Sequence, residues 1–172
     1  MNLFILSLCQ KQTAIWMFDK HIVKIILEAV QMLCTAKRLL DPDDPTNEKL
    51  YKMSHKNHPV SIWVRTSYAN YIWTLALVHE MHNEWKYRYN HVKCHKSYLV
   101  AYHLLKHAPA KNKFQSQKLT PFAQAMPDEF RSSDAVDAYR KYYMSESKRK
   151  LMKWTRREKP EWFNESNFHK NI

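Results

Sequence analysis

The chain has 172 residues, 45% of them apolar and 26% charged, which predicts one compact domain with its own hydrophobic core. It contains no glycine. This excludes the phosphate loop, the dinucleotide-binding turn and the nucleophile elbow, so we expect no cofactor. Tight hairpins, which need positive φ angles, are disfavoured for the same reason, and this favours an all-α fold. Lysine and arginine number 28 against 16 aspartate and glutamate, and the net charge of +12 indicates an anionic partner such as nucleic acid.

Residues 2–8 form an apolar run that predicts either a short strand or an extended segment threaded into a helical core. The run is too short to span a membrane and lacks the positive flank of a secretory signal, so we expect no membrane partner. Three cysteines without C-x-x-C spacing favour reduced thiols. We therefore predict a cytoplasmic protein, in the host cytoplasm if it is viral.

Apolar residues recur at helical spacing over residues 13–40, with a break near Asp19, which is a plausible N-cap. Residues 41–46 then form a loop, and a second long helix should begin just after Pro59, with Ser61 near its cap, and run to Tyr89. The remaining predicted elements are a helix within 94–107, a polar connection over 109–118, a helical turn from Pro121 to Pro127, and a helix from Ser133 and Asp134 through Tyr143 towards Trp154.

The C-terminal part, residues 140–172, is basic and aromatic. Between positions 140 and 159 there are nine basic and two acidic residues, a net charge of +7. Such a run is either a solvated helix face or, because aromatic residues alternate with the cations, a surface that binds phosphates. The candidate phosphate contacts are Lys148, Arg149, Lys153, Arg156 and Arg157.

One polar line stands out on the otherwise apolar helix of residues 19–35. It consists of His21, Lys24, Glu28, Gln31 and Thr35, with Lys20 at its edge. A mostly buried helix with a single polar line predicts a cleft in which Glu28 is a general acid or base and His21 and Lys24 orient it. Lys20 and Gln31 would then lie beside a nucleic acid. The alternative is an i,i+4 ion pair of Lys24 with Glu28 on a solvated face.

His58 and Arg65 flank the predicted helix start at Pro59, where free backbone N–H groups attract anions. They predict either a phosphate clamp or an N-capping loop with an ordinary surface arginine. Three pairs have metal-ligand spacing, but none completes a ligand set and we expect no metal. These pairs are His79 with His82, His91 with Cys94, and His103 with His107.

The pattern Asp19-x-His21-Ile-Val-x-x-x-x-Glu28 resembles the stretch around the catalytic glutamate of the phage pyrimidine-dimer DNA glycosylase (endonuclease V) family. Residues 2–7, 126–131 and 159–163 are similar to other segments of that family in the same order. The resemblance implies an all-helical DNA-binding enzyme in which the α-amine of an N-terminal threonine attacks the sugar C1′, forms a Schiff base and cuts the strand. It also implies that Glu28 is the catalytic carboxylate.

The same resemblance implies that His21 and Arg131 lie beside the DNA and that Trp162 and Phe163 belong to an aromatic tail near the lesion. The chain departs from the family in opening with Met1 and Asn2 where the family presents threonine. Leu27 and Gln31 also stand where the family has arginines. Lys20, Lys24 and the Met1 amine are alternative nucleophiles, since a buried amine can be activated for attack.

The sequence thus favours a single-domain helical enzyme of DNA repair, glycosylase or lyase in type, that acts on a damaged or modified base extruded from double-stranded DNA. A second interpretation keeps the cleft but makes the protein a viral transferase that hypermodifies DNA bases. A third is a non-enzymatic protein that binds nucleic acid or a host factor, with the polar line as a buried hydrogen-bond network.

Overall fold

Six α-helices make up most of the regular structure of residues 1–163, the part of the chain that the computed structural model describes. This confirms the all-α prediction. The helices are Gln10–Trp16 (α1), Asp19–Leu40 (α2), Pro59–Thr66 (α3), Tyr68–Tyr89 (α4), Lys96–Lys106 (α5) and Ala135–Tyr143 (α6). Short 3₁₀ helices lie at Pro45–Lys49, Lys111–Lys113, Asp128–Phe130 and Glu146–Leu151.

Helix α2 is the centre of the fold and packs against α3, α4 and α5, while α1 packs on α4. Its isoleucine, leucine, valine and alanine side chains point in most directions, which is why the helix needs neighbours on most of its circumference. Only the face that carries Lys20, Val23, Lys24 and Leu27 is exposed in its first two turns. None of the helices within residues 1–163 is both long enough and apolar enough to cross a membrane.

The N-terminal segment is extended and threaded into this core, the second of the two forms that the sequence predicts. Residues 3–6 are each at most 3% exposed. Because no strand pairs with this segment in the described part of the chain, side chains bind some of its backbone groups. Thr13 Oγ1 accepts the Ser7 N–H at 3.0 Å and donates to the Ser7 carbonyl, and Arg140 Nε donates to the Leu6 carbonyl at 2.9 Å.

The helix boundary near residue 19 differs from the prediction. Phe18, not Asp19, occupies the cap position of α2, and Asp19 is the first helical residue. The Asp19 carboxylate accepts hydrogen bonds from Arg88 and from the backbone and hydroxyl of Thr155. The Asp19 side chain therefore binds residues that are distant in the sequence and does not cap the helix, as the local pattern predicts it to do.

The single helix predicted from Pro59 to Tyr89 is in fact two helices, broken at Ser67. The Ser67 hydroxyl accepts the Ala69 N–H, caps α4 and donates to the Lys118 carbonyl. The backbone of Ser116 also pairs with Thr66 and Tyr68. A side-chain cap together with a distant chain segment thus replaces helical bonds at this point. The cap of α3 is His58, whereas Ser61 is buried inside the helix.

Two predictions for the second half of the chain are wrong, although Asp134 does cap α6. Residues 121–127 contain no helical turn. The Tyr139 hydroxyl donates to the Ala123 carbonyl at 2.8 Å, and the Asn2 side chain donates to the Ala125 carbonyl, so these carbonyls bond to side chains. Helix α6 ends at Tyr143, and Trp154 lies in irregular structure after the last 3₁₀ helix.

Arg88 joins the start of the chain to the end of α4. Its side chain is fully buried and donates to Glu84 at 2.7 Å and to Asp19 at 3.0 Å. It also donates to three carbonyls at the C-terminal end of α1, at positions 14, 15 and 17. Burial alone would raise the pKa of Glu84, but hydrogen bonds from Arg157 and Arg88 outweigh it and lower that pKa.

We predict that Arg88→Met lowers the free energy of unfolding by about 3–5 kcal/mol, because it removes one partner of two buried carboxylates. Urea unfolding followed by circular dichroism measures this change. Lys141→Ala is the control, since Lys141 forms an i,i+4 pair with Asp137 and both side chains are about half exposed. That variant should lose less than about 1 kcal/mol. Equal losses in the two variants would contradict the structural role of Arg88.

Candidate active site

Glu28 lies where the N-terminal segment meets α2. The residue is 8% exposed, and its Oε2 accepts the backbone N–H of Asn2 at 2.8 Å. The amino nitrogen of Met1 lies 3.7 Å from the same oxygen, and Lys24 Nζ lies 3.4 Å from Oε1. The Lys24 side chain is 72% exposed and the Glu28 side chain is 11% exposed, so the carboxylate lies just below the surface between the two amines.

Met1 and Asn2 are held in place from three directions. The Asn2 side chain donates to the Ala125 carbonyl at 2.8 Å, and its Oδ1 lies 3.2 Å from the Tyr139 hydroxyl oxygen. The Ser61 hydroxyl lies 3.9 Å from the Met1 sulfur, within hydrogen-bond range for sulfur. Because these contacts come from α3, α6 and the 121–127 segment, the position of the Met1 amine beside the carboxylate is set by the fold.

Glu28 differs from the other two buried carboxylates of the described chain in how it is paired. Asp19 accepts three hydrogen bonds of 2.7–3.0 Å, and Glu84 accepts three of 2.7–2.9 Å from two guanidinium groups. Glu28 accepts only the Asn2 N–H at such a distance within residues 1–163. A carboxylate offers about four acceptor sites, so Glu28 keeps capacity for a further proton donor or a developing positive charge.

His21 is buried next to the N-terminal segment and contacts Tyr143, not Glu28. Its Nδ1 lies 2.6 Å from the Tyr143 hydroxyl, and its ring stacks on Phe4 at 4.4 Å. The Tyr143 oxygen accepts the Phe18 N–H, which leaves its own proton for His21 Nδ1. Burial first, and then the positive charges of Lys148 and Lys24, lower the pKa of His21 to about 3. The imidazole is therefore neutral, and its ring packs against the Phe4 side chain.

The rest of the predicted polar line does not share one environment. Lys20 is exposed and Gln31 is half-buried, both next to the open face of α2. Thr35 is fully buried, and its hydroxyl exchanges hydrogen bonds with the backbone of Ser54. The structure thus brings Lys24 and Glu28 together as an i,i+4 pair, which both sequence interpretations contain, and leaves Thr35 in a structural contact.

His58 and Arg65 do not converge on one anion position. Nδ1 of His58 accepts the Val60 N–H at 3.2 Å and so caps α3. Burial first, then the positive charge of the Met1 amine, lowers the pKa of His58, while Glu28 opposes the shift. His58 therefore lies close to the Glu28 cluster. Arg65 instead donates to the Lys56 carbonyl and holds the preceding loop.

Two of the C-terminal arginines, Arg156 and Arg157, form hydrogen bonds that stabilise the fold. Arg157 binds both oxygens of Glu84 at 2.8–2.9 Å, and Arg156 donates to the Tyr87 carbonyl and to Asn90. Lys148 lies near His21, since its Nζ is 4.6 Å from the Tyr142 ring and its charge acts on the His21 imidazole.

Two further cations of this region lie near the surface. Arg149 pairs with Glu146 at 3.4 Å. Lys153 is exposed, and its carbonyl accepts the Asp19 N–H at the start of α2. Lys153 is therefore anchored by its backbone, with its side chain at the surface.

Trp162 and Phe163 pack into the protein. Trp162 contacts Trp16 edge to face at 5.8 Å, and the Arg140 guanidinium lies over its ring. Phe163 is 3% exposed and packs against Phe18. Both residues therefore take part in the core, in a region that the sequence assigns to DNA contact. The rest of the predicted C-terminal region, residues 164–172, lies outside the described residues.

Arg131 lines an open groove of about 560 Å³ together with Pro59, Phe122, Gln124 and Ser132. Its guanidinium is half exposed and pairs with Asp128 at 2.8 Å. Two lining residues adjoin contacts of the N-terminal segment in the chain, since Pro59 follows His58 and Gln124 precedes Ala125, whose carbonyl binds Asn2.

Sequence reasoning missed the contributions of Asn2, Tyr139 and Tyr143. The two tyrosines are one turn apart on α6 and both buried, so helical spacing indicates that they share a face. No sequence pattern indicates that their hydroxyls bind Asn2 and His21, which lie more than 100 positions away.

The histidine pairs with metal-ligand spacing do not gather into a metal site. Within residues 1–163, no three side chains among histidine, cysteine, aspartate and glutamate are arranged to hold a metal ion. His82 stacks on Tyr98 at 3.9 Å, and His103 Nε2 contacts the Thr46 carbonyl.

No protein-family model, curated protein or solved structure matches this chain. The resemblance to the pyrimidine-dimer glycosylase family therefore stays a prediction. What bears on function is the geometry around Glu28.

We predict that His21 gains a proton only near pH 3, well below the ordinary value of 6.5. As the pH falls from about 6.5 towards 3, the unfolded chain binds this proton and the folded chain does not. The folded protein therefore loses stability, at a rate of at most about 1.4 kcal/mol per pH unit for one group. His21→Asn, which keeps an acceptor for Tyr143, should make the loss shallower in urea unfolding. An NMR titration midpoint near 6.5 for the His21 ring would contradict the prediction.

Proposed function

We propose that this protein is a DNA glycosylase and lyase that acts on a damaged or modified base extruded from double-stranded DNA. The observation that carries the proposal is the largely buried, incompletely paired Glu28 carboxylate, which has the amine of Met1 at 3.7 Å and that of the exposed Lys24 at 3.4 Å. A primary amine beside a carboxylate is the pair of groups that imine chemistry at a sugar carbon needs.

In the proposed reaction, the ammonium first gives a proton to Glu28, and the free amine attacks C1′ of the nucleotide. The bond from C1′ to the base breaks, and the base departs with its electron pair and takes up a proton. Breaking of the C1′–O4′ bond, with protonation of O4′, leaves an imine between the amine and C1′. Loss of a C2′ proton then expels the 3′ phosphate and cuts the strand. Glu28 serves as the general base and balances the positive charge of the intermediate.

Cations on the same side of the molecule support DNA as the partner. Lys20 and Lys24 project from the open face of α2, and Lys148 lies close enough to act on the same histidine as Lys24. Lysines that meet a phosphate backbone release its counterions, which favours binding at low salt. Since Arg156 and Arg157 are bound within the fold, these lysines are the stronger candidates for DNA contact.

We predict that Glu28→Gln slows cleavage of duplex DNA at an abasic site by about 100-fold or more, since general acid and base groups contribute about that much. The amide oxygen of Gln can still accept the Asn2 N–H, so folding and DNA affinity should change little. Cleavage is measured on a labelled duplex, and trapping with borohydride detects the imine as a covalent adduct.

The matched control is Glu80→Gln, because Glu80 lies on α4 outside the Glu28 cluster. It should cleave and trap like the wild type. If neither abasic nor pyrimidine-dimer duplexes are cut or trapped by the wild type, the glycosylase and lyase proposal is wrong. Salt-dependent binding that Glu28→Gln leaves unchanged, without turnover, would indicate a DNA-binding protein.

The nucleophile can be identified from the same adduct. We predict that the sugar is attached to the amine of Met1, because the buried Met1 side chain and the Asn2 contacts hold that amine in place beside Glu28, whereas the Lys24 side chain is 72% exposed. Mass spectrometry of the digested, borohydride-reduced adduct measures the attachment point. Lys24→Arg, which keeps the charge but cannot form an imine, should still give the adduct. Attachment at Lys24 or Lys20 would overturn this assignment and leave the reaction type intact.

A further inference from the structure

An apolar ridge lies in the open face of α2, next to Glu28. Val23 is 44% exposed and Leu27 is 37% exposed. They are four positions apart, so their side chains adjoin on the helix surface. Neither side chain is needed to fill the core, which the buried residues of the same helix already line.

The ridge is bordered by polar and cationic side chains. Lys24 and Gln31 are three and four positions from Leu27 and therefore lie on either side of it along the face. Lys20 lies one further turn towards the start of the helix, and all three are exposed or half-buried. Leu27 thus lies between Lys24 and Gln31, with both lysines on its N-terminal side, and the next residue in the chain is Glu28.

The charges around the ridge indicate what covers it. A second copy of this face would carry the same excess of lysines, so like-charge repulsion disfavours the pairing of two copies. A polyanion with an apolar interior can contact both the lysines and the apolar ridge of this face. Duplex DNA has that composition, since phosphates meet the lysines and stacked bases accept an apolar side chain.

We propose that Leu27 is inserted between base pairs of duplex DNA and holds open the gap beside the nucleotide that Glu28 acts on. This inference rests on the proposed function. An enzyme that reacts at C1′ of a stacked nucleotide must first unstack it, and apolar side chains that enter a base step stabilise the opened form. Val23 flanks Leu27 and supports it against the duplex.

The test compares duplex and single-stranded substrates. Leu27→Ala should cut an abasic duplex at least about tenfold more slowly than the wild type, because unstacking is no longer assisted. It should cut the same abasic strand without its complement within about twofold of the wild type, since no stack has to be opened. With 2-aminopurine beside an uncleavable tetrahydrofuran site, the wild type should raise the fluorescence and Leu27→Ala should not.

Two controls accompany the variant. Leu27→Met, which keeps a long apolar side chain, should retain the fluorescence rise and the duplex rate. Leu99→Ala removes a leucine that is 58% exposed on α5 and should behave as the wild type.

The outcomes separate this inference from the proposed function. If the wild type cuts and traps DNA but Leu27→Ala keeps both the duplex rate and the fluorescence rise, insertion is overturned and the glycosylase and lyase proposal stands. If the wild type neither cuts nor traps, that proposal fails, and insertion is decided by fluorescence alone. A rise that depends on Leu27 then supports insertion, and no rise with the wild type overturns it.

Discussion

The burial of residues 3–6 inside a helical core is the constraint on which the rest of the structure depends. An extended chain in such a core has no sheet partner, so side chains must bind its free backbone groups. Thr13 and Arg140 do so at one end, and Glu28 binds the Asn2 N–H at the other. With both ends held, the segment cannot slide along its axis. The Met1 amine therefore lies beside the Glu28 carboxylate as a consequence of core packing.

Two sets of basic residues have different roles. Arginines such as Arg88 and Arg157 are buried or half-buried and bind carboxylates and carbonyls that join distant parts of the chain. The exposed charges on the open face of α2 are lysines, Lys20 and Lys24. Planar guanidinium groups suit fixed multidentate contacts, whereas flexible ammonium groups suit adjustable contacts with phosphates. The net charge of the chain therefore overstates the number of cations available to a partner.

Local patterns predicted those parts of the structure that local interactions decide. Helical spacing identified α2, and the capping rule identified Asp134 at the start of α6. The break at Ser67 escaped prediction because it depends on the Lys118 carbonyl, 51 positions away. Arg157 was assigned to phosphate binding because its partner Glu84 lies on another element. Within the candidate site, Glu28 and Lys24 follow from spacing, whereas the contact with Asn2 needs the threading of the whole N-terminal segment.

A buried carboxylate that serves only stability should be paired as fully as the fold permits, because desolvation penalises every unused acceptor site. Asp19 meets that expectation through Arg88 and Thr155. Glu28 does not, although Lys24 lies one turn away on the same helix with its Nζ 3.4 Å from the carboxylate. An incompletely paired acid beside an amine is energetically unfavourable for the resting protein, and under the proposed function it would accept a proton or balance a cationic intermediate. Departures of this kind from the best local pairing are expected at functional sites. The difference in pairing between Asp19 and Glu28, which lie on the same helix, therefore favours a catalytic interpretation of Glu28 over a purely structural one.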